Sequence, residues 1–297
     1  MEFSQLMLGT AQFGVEYGIA NQTGKPSQSQ VNEIISFAWE KGVNCLDTAS
    51  SYGESEKVVG NALEKLGLTH QMNIVSKVAH FSEELSMAQV KEHIHRSIFG
   101  SLERLKVDYL DVCLFHHEKY FYAIELLNEL KEQGVVKSIG LSFSGIDFND
   151  APKVLSSPLI DDVQVPGSVL DRRFENIGFT LARGYSKPVF VRSVYLQGLL
   201  AQEKAPSNLA VMQPALDEIG KLARRYNLSR EALCVRYMLG VNGASSLLMG
   251  METLEQLKEN IKLIEQGALP TEIHQEIAQT LPLLSAEYLC PALWPNG

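Results

Sequence analysis

Short apolar runs recur along the chain, each followed by a longer stretch in which apolar residues return every three or four positions. A run of four to eight apolar residues suits a strand buried on both faces. The longer 3.6-residue period suits a helix with one face on a core. This reading predicts strands at Leu6–Gly9, Asn44–Asp47, Asn73–Lys77, Tyr109–Phe115, Ser138–Ser142, Asp162–Pro166, Pro188–Ser193 and Ser245–Gly250. Helices are expected over Ser27–Lys41, Ser55–Leu66, Met87–Leu105, Tyr122–Gln133, Phe174–Arg183, Ser229–Leu239 and Thr253–Glu265, with a short one from Asp150. Ser27 and Ser229 stand where N-caps belong, and Gly42, Gly134 and Gly240 stand where helices should stop. Between the last two strands lies an additional helical segment, Pro214–Tyr226, preceded by the polar stretch Gln202–Asn208.

Strand–helix alternation is the mark of a parallel sheet. Eight such units within 297 residues predict a (β/α)8 TIM barrel spanning 1–297 as one domain, with an extra helical segment around 202–226 and a C-terminal tail around 284–297. An open doubly wound sheet fits less well, because Leu8–Gly14 reads L-G-T-A-Q-F-G and not the G-x-G-x-x-G that follows the first strand of dinucleotide folds.

With 45% hydrophobic and 21% charged residues the composition is that of a globular chain. A formal charge of -9 argues against a nucleic-acid partner. No apolar stretch reaches the ~20 residues that span a bilayer, and Met1–Thr10 carries no basic leader, so a cytoplasmic protein without a membrane partner is expected. Cys45, Cys113, Cys234 and Cys290 are far apart in sequence and read as reduced structural residues. Oligomeric state is not legible.

In a barrel, chemistry gathers at the C-terminal ends of the strands. The second strand ends in Asp47 and runs into Thr48-Ala49-Ser50-Ser51-Tyr52-Gly53, the third ends in Lys77, and the fourth leads into His116-His117. Each has an ordinary explanation alone, as a loop cap, a solvated cation or a packed ring. Together they place an acid, a cation, a phenol and an imidazole on one rim, a constellation suited to proton transfer. His93 and His95, two apart on a helix, point to different sides and suggest no metal site. Trp39 reads as helix-to-barrel packing. Trp294 in the tail is apolar enough either to cover the barrel mouth or to dock on a flank.

These pieces resemble the aldo-keto reductase superfamily. The motifs are L-G-T-A-Q-F-G at Leu8–Gly14, L-D-T-A-S-S-Y-G-E-S-E at Leu46–Glu56, V-S-K at Val75–Lys77, D-Y-L-D-V-C-L-F-H at Asp108–His116, I-G-L-S at Ile139–Ser142, Q-V-P at Gln164–Pro166 and T-L-E-Q-L-K-E-N at Thr253–Asn260. They occur in family order across nearly the whole chain. The resemblance implies that Asp47, Tyr52, Lys77 and His116 are catalytic in an NADP(H)- or NAD(H)-dependent interconversion of an aldehyde or ketone with its alcohol. A phenol with a pKa near 10 is a poor proton donor at neutral pH. On this reading Lys77 lowers that pKa, Asp47 holds Lys77 charged, and His116 polarises the carbonyl as a neutral donor.

The same resemblance assigns Ser142 and Gln164 to the carboxamide of the nicotinamide, Ser193 and Gly198 to the pyrophosphate, and Gln256 and Asn260 to the adenosine end. It also puts Gly9, Thr10 and Gly250 beside the cofactor. Three departures stand out. Phe143 replaces an expected Asn, so one carboxamide contact is missing. Arg192 replaces an aromatic residue that stacks on the nicotinamide, which disfavours the cationic oxidised form. Glu252 occupies the place of a cation for the 2′-phosphate, which favours NADH unless a residue such as Lys258 compensates. His117, Tyr120 and Tyr195 suggest a hydroxylated, sugar-like substrate. The alternative readings are a cofactor-binding regulatory or scaffold subunit with little turnover, and a barrel lyase or isomerase without a redox cofactor.

Overall fold

The structure, a computed structural model, describes residues 1–21, 23–175 and 178–295. Eight parallel strands close into a barrel in sequential order: β1 (Leu6–Gly9), β2 (Cys45–Asp47), β3 (Asn73–Lys77), β4 (Leu110–Phe115), β5 (Val136–Ser142), β6 (Asp162–Pro166), β7 (Val189–Arg192) and β8 (Ser246–Gly250). Closure is made by β1 against β8, with Gly9 opposite Gly250 on one side and Asp47 on the other. The (β/α)8 architecture expected from the alternation is the one observed.

The helices are α1 (Ala11–Gly14), α2 (Gln28–Glu40), α3 (Ser55–Leu66), α4 (Met87–Leu105), α5 (Ile124–Glu132), α6 (Ala151–Ser156), α7 (Gly178–Gly184), α8 (Gln213–Arg225), α9 (Arg230–Leu239), α10 (Leu254–Glu265), α11 (Thr271–Thr280) and α12 (Ala286–Leu289). Ser27 caps α2 and Ser229 caps α9 as expected; Ser86 and Thr253 do the same for α4 and α10. Gly42 and Gly134 turn the chain with left-handed φ, but Gly240 does not (φ −80°). Gly240 is there for space, since a Cβ would lie 2.8 Å from the His274 ring.

The helix expected over Tyr122–Gln133 begins as a 3₁₀ turn, Glu118–Ala123, capped by His117. That expected over Phe174–Arg183 is seen as α7, and residues 176–177 lie outside the described residues. The inserted segment is a 3₁₀ turn, Ser207–Met212, followed by α8. Helices α1, α11 and α12 have no counterpart in the sequence reading. Helix α11 shows why: of its residues only Ile277 is buried, so its apolar stripe is weak.

Alternation along the strands divides the core in two. Met7, Cys45, Val75, Val112, Leu114 and Phe190 point inward and fill the barrel. Their neighbours, such as Leu6, Leu46, Ile74, Cys113 and Val191, face the helices. Because the side-chain period is two, the next inward residues toward the C-terminal rim are Gly9, Asp47, Lys77, His116 and Arg192. The barrel packing thus decides which polar side chains meet at the mouth. All four cysteines are free and buried, and among the described residues no helix is long and apolar enough to cross a membrane.

Candidate active site

Lys77 and Asp47, on neighbouring strands, form an ion pair with side chains only 1% and 2% exposed. Lys77 Nζ donates to both carboxylate oxygens, at 2.7 and 2.6 Å, and to the Thr48 carbonyl at 3.0 Å. Burial works against the ammonium, but Asp47 and then Tyr52 outweigh it and hold Lys77 above the usual lysine range.

Tyr52 lies in the loop leaving β2, its ring centroid 5.2 Å from Lys77 Nζ. Two glycines fix that loop. A Cβ on Gly14 would fall 1.8 Å from the Tyr52 carbonyl, and one on Gly53 (φ 57°) would fall 2.7 Å from the Gly14 carbonyl. The F-G and Y-G pairs thus let α1 press onto the backbone that carries the phenol. A buried hydroxyl cluster completes the support. Thr10 Oγ1 donates to the Asp47 carbonyl at 2.8 Å, and Ser55 Oγ is 2.8 Å from Thr10 Oγ1 and 3.0 Å from Thr48 Oγ1.

The expectation that the phenol's pKa falls needs correction. Burial raises it above its ordinary value, and Lys77 and Arg192 only oppose that rise. The hydroxyl therefore keeps its proton at neutral pH. His116 matches the expected neutral imidazole: burial, Lys77, His80 and Arg192 together bring its pKa down to about 2. His116 Nε2 is 3.2 Å from Ser51 Oγ, and its ring stacks on His80 with centroids 4.3 Å apart.

Sequence reading passes over both His80 and Ser51. His80 is in a loop, where no period predicts orientation. Ser51 stands inside the Leu46–Glu56 motif, and its place beside Tyr52 is the one available signal. Conversely, the three residues that hint at a polar substrate do not gather at the phenol. Tyr120 is buried with its hydroxyl on the Phe81 carbonyl at 2.9 Å, Tyr195 donates to Asn260 Oδ1 at 3.0 Å, and His117 accepts from the Lys119 N–H.

From Asp47 and Tyr52 a cleft of about 620 Å³ runs over the ends of β1, β8 and β7 to the start of α10. Gly9, Thr10, Arg192, Ser193, Gly198, Gly250, Glu252, Gln256 and Asn260 all line it. The Thr10 hydroxyl is already occupied by Asp47 and Ser55. Ser142 and Gln164 lie deeper. Ser142 Oγ donates to Gln164 Oε1 at 3.2 Å, and Gln164 Nε2 donates to Asp47 Oδ2 at 2.8 Å, so the carboxylate is held from two sides.

The shape suits an extended ligand with anionic phosphates. Gly250 lets the Gln12 amide lie against the end of β8, since a Cβ there would fall 2.4 Å from Gln12 Nε2. The loop after β7 carries Ser193, Leu196, Gln197 and Gly198 at positive φ, strain of the kind found where backbone wraps a ligand. One end of the cleft is the start of α10, where the capping box takes up the Glu252, Thr253 and Gln256 N–H groups and Glu252 lines the wall. Across the cleft the residue 17–21 loop meets this wall, with Gln197 Nε2 3.3 Å from the Tyr17 hydroxyl.

Phe143 is fully buried with Phe148 and Phe174, at centroid distances of 5.8 and 5.7 Å. Opposite strand parity turns it away from the mouth, and the position serves packing. Arg192 bonds through Nη2 to the Phe143 and Ser144 carbonyls at 2.9 and 3.1 Å, and Nη1 is 3.1 Å from Ser193 Oγ. Among the described residues it is the only Lys or Arg lining the cleft, whose acids are Asp47, Glu231, Glu252 and Glu259. Lys258 does not line it, standing instead 3.8 Å from Glu255 and over the Phe37 ring.

Among the described residues, the tail reaches the rim and does not line the cleft. Cys290 Sγ is 3.7 Å from the Ser144 carbonyl, Asn208 Nδ2 donates to the Pro295 carbonyl at 2.8 Å, and Trp294 Nε1 donates to the Tyr288 carbonyl. Residues 296–297 lie outside the described residues.

Comparison with known proteins agrees with this geometry. The model of the Aldo/keto reductase family matches residues 5–281. The chain is 28% identical over 267 residues to the NADH-specific methylglyoxal reductase of Escherichia coli, covering 77% of this chain and 81% of that one. It is 26% identical to the D-arabinose 1-dehydrogenase of Saccharomyces cerevisiae, covering 89% and 84%. A solved aldo-keto reductase of Bacillus halodurans in its holo form superposes with a TM-score of 0.79 at 25% identity, covering 95% of this chain and 94% of that one. The closed barrel, the charged mouth and a family match over most of its length show that this chain belongs to the aldo/keto reductase family.

Proposed function

We propose that the protein is an NADH-preferring oxidoreductase that reduces a small, polar aldehyde or ketone to its alcohol. The observation that carries this reading is the buried Lys77–Asp47 pair set against the Tyr52 ring at the head of a cleft whose far end is acidic. A bound nicotinamide supplies the hydride, which no protein side chain carries. The chain's own residues do the rest. Tyr52 gives its proton to the oxygen of the reduced carbon, and Lys77 stabilises the phenolate left behind. Asp47 and Gln164 keep Lys77 charged and fixed. Neutral His116 donates a hydrogen bond to the carbonyl oxygen.

Two features refine the reading. Glu231, Glu252 and Glu259 stand along the cleft with no lining cation among them, and they repel a 2′-phosphate while a ribose hydroxyl can donate to a carboxylate. This supports NADH over NADPH, in keeping with the NADH specificity of the Escherichia coli methylglyoxal reductase. Ser51 and His80 against His116, and Arg192 on the cleft wall, give the reacting end polar surroundings, which supports a carbonyl flanked by further oxygen.

The test is Tyr52→Phe assayed with NADH, NADPH and a panel of short aldehydes, ketones and hydroxyaldehydes. The variant should lose turnover by at least ~100-fold while NADH affinity stays within a factor of about two, since the phenol acts in the transition state. A parent protein that binds NADH but oxidises it with no carbonyl of the panel would refute the enzymatic reading.

A further inference from the structure

We infer that Glu118 is a positioning residue for this site, acting through Ser144 to hold the Arg192 guanidinium at the reacting end of the cleft. The inference rests on the reductase reading. Glu118 begins the 3₁₀ turn after β4, and its carboxylate, 10% exposed, does not line the cleft. It grips one residue of the loop after β5 twice: Oε2 accepts from the Ser144 N–H and Oε1 from the Ser144 hydroxyl, both at 2.7 Å. His117 Nδ1 lies 3.2 Å from the same Oε2. Carboxylate bonds of this length are charge-assisted and stronger than neutral ones.

The gripped segment is the one that holds Arg192. Arg192 Nη2 donates to the carbonyls of Phe143 and Ser144, one residue before and at the point of attachment. On its other side Phe143 is locked between Phe148 and Phe174, so the loop is fixed by an aromatic anchor and by Glu118. A long arginine side chain alone samples many rotamers, and fastening its two carbonyl acceptors removes that freedom. The position matters because the guanidinium acts electrostatically on both Tyr52 and His116 and, among the described residues, is the single Lys or Arg lining the cleft. The loops after β4 and β5 and the end of β7 thus form one chain of contacts ending at the chemistry.

The consequence for the cofactor is specific. A positive charge fixed at the reacting end of the cleft would disfavour the cationic oxidised form of a nicotinamide held there, so Arg192 would set the ratio of the NAD⁺ and NADH dissociation constants and Glu118 how sharply it does so. The test measures both constants by fluorescence titration for the parent, Glu118→Gln, Glu118→Ala, Arg192→Met and the double variant Glu118→Ala/Arg192→Met. Steady-state kcat and KM are measured beside them.

Removing one unit charge at ~6 Å in an effective dielectric of ~40 should tighten NAD⁺ relative to NADH about tenfold in Arg192→Met. Glu118→Ala should move the ratio the same way by roughly threefold and lower kcat more than it raises KM. Glu118→Gln, which keeps an acceptor oxygen, should lie nearer the parent. The double variant should match Arg192→Met alone. Additive effects, or a folded Glu118→Ala with an unmoved ratio, overturn the inference. If Glu118→Ala does not fold, the same titration of Ser144→Ala, which removes the hydroxyl that Glu118 grips, decides instead: a partial shift in the same direction is expected, and an unmoved ratio in that folded variant overturns the inference. A parent that binds neither dinucleotide sinks the reductase reading itself, an outcome separate from the other two.

Discussion

Removing either charge of the Lys77–Asp47 pair should cost more stability than removing both. The two side chains are almost completely excluded from water. Deleting one partner of such a pair strands the other, at a cost of about 3–5 kcal/mol. Lys77→Met and Asp47→Asn should each fall in that range, a drop in melting temperature of roughly 5–8 °C for a chain of this size. In the double variant no charge remains. The Asp47→Asn change keeps an oxygen for the Gln164 amide, Lys77→Met fills the volume of the lysine stem, and the main residual loss is the bond to the Thr48 carbonyl. That loss is worth about 1 kcal/mol, so the double variant should be clearly more stable than either single one. Activity should behave oppositely, falling at least ~100-fold in all three. Urea or thermal unfolding followed by circular dichroism, with NADH oxidation measured on the same samples, makes the comparison. A double variant destabilised by the sum of the single effects would show that the pair is not coupled as its geometry requires.

Other consequences concern pH, cofactor choice and backbone fit. His116 is held neutral in the folded state, with a pKa lowered from 6.5 to about 2, whereas the unfolded chain protonates it near 6.5. Its contribution to stability is therefore complete above that value and is lost as pH falls below it, at about 1.4 kcal/mol per unit. His116→Gln should flatten the fall between pH 6.5 and 5 in a pH series of unfolding curves, and an unchanged slope would contradict this. Glu252→Lys should raise kcat/KM for NADPH relative to NADH by about tenfold, because a repulsion at the ribose becomes an attraction; unchanged selectivity would place the 2′-hydroxyl elsewhere. Gly14→Ala should destabilise by about 1–3 kcal/mol and depress kcat, since its methyl would overlap the Tyr52 carbonyl and displace the phenol. Full activity in that variant would mean the loop has freedom this packing denies it.

Much of the architecture is written in the residue order. Eight apolar runs separated by amphipathic stretches specify alternating strands and helices, and short connections between parallel strands leave few ways to close the sheet. The side-chain period of two then decides that Asp47, Lys77 and His116 share a direction with Cys45, Val75 and Leu114, because each lies two residues beyond an inward core position. That parity is local information, which is why the heart of the site is legible.

What distance in sequence and irregular backbone control is not. His80, Ser51, Glu231 and Glu259 enter the site from loops or helix surfaces, where no period fixes direction, and the Phe148 and Phe174 rings that enclose Phe143 reach it only once the barrel is closed. The acidity of Tyr52 escapes the sequence for the same reason. The neighbour that lowers its pKa can be named from a motif, but the burial that raises it depends on how tightly α1 and the surrounding loops close around the ring, and only the packed chain decides that.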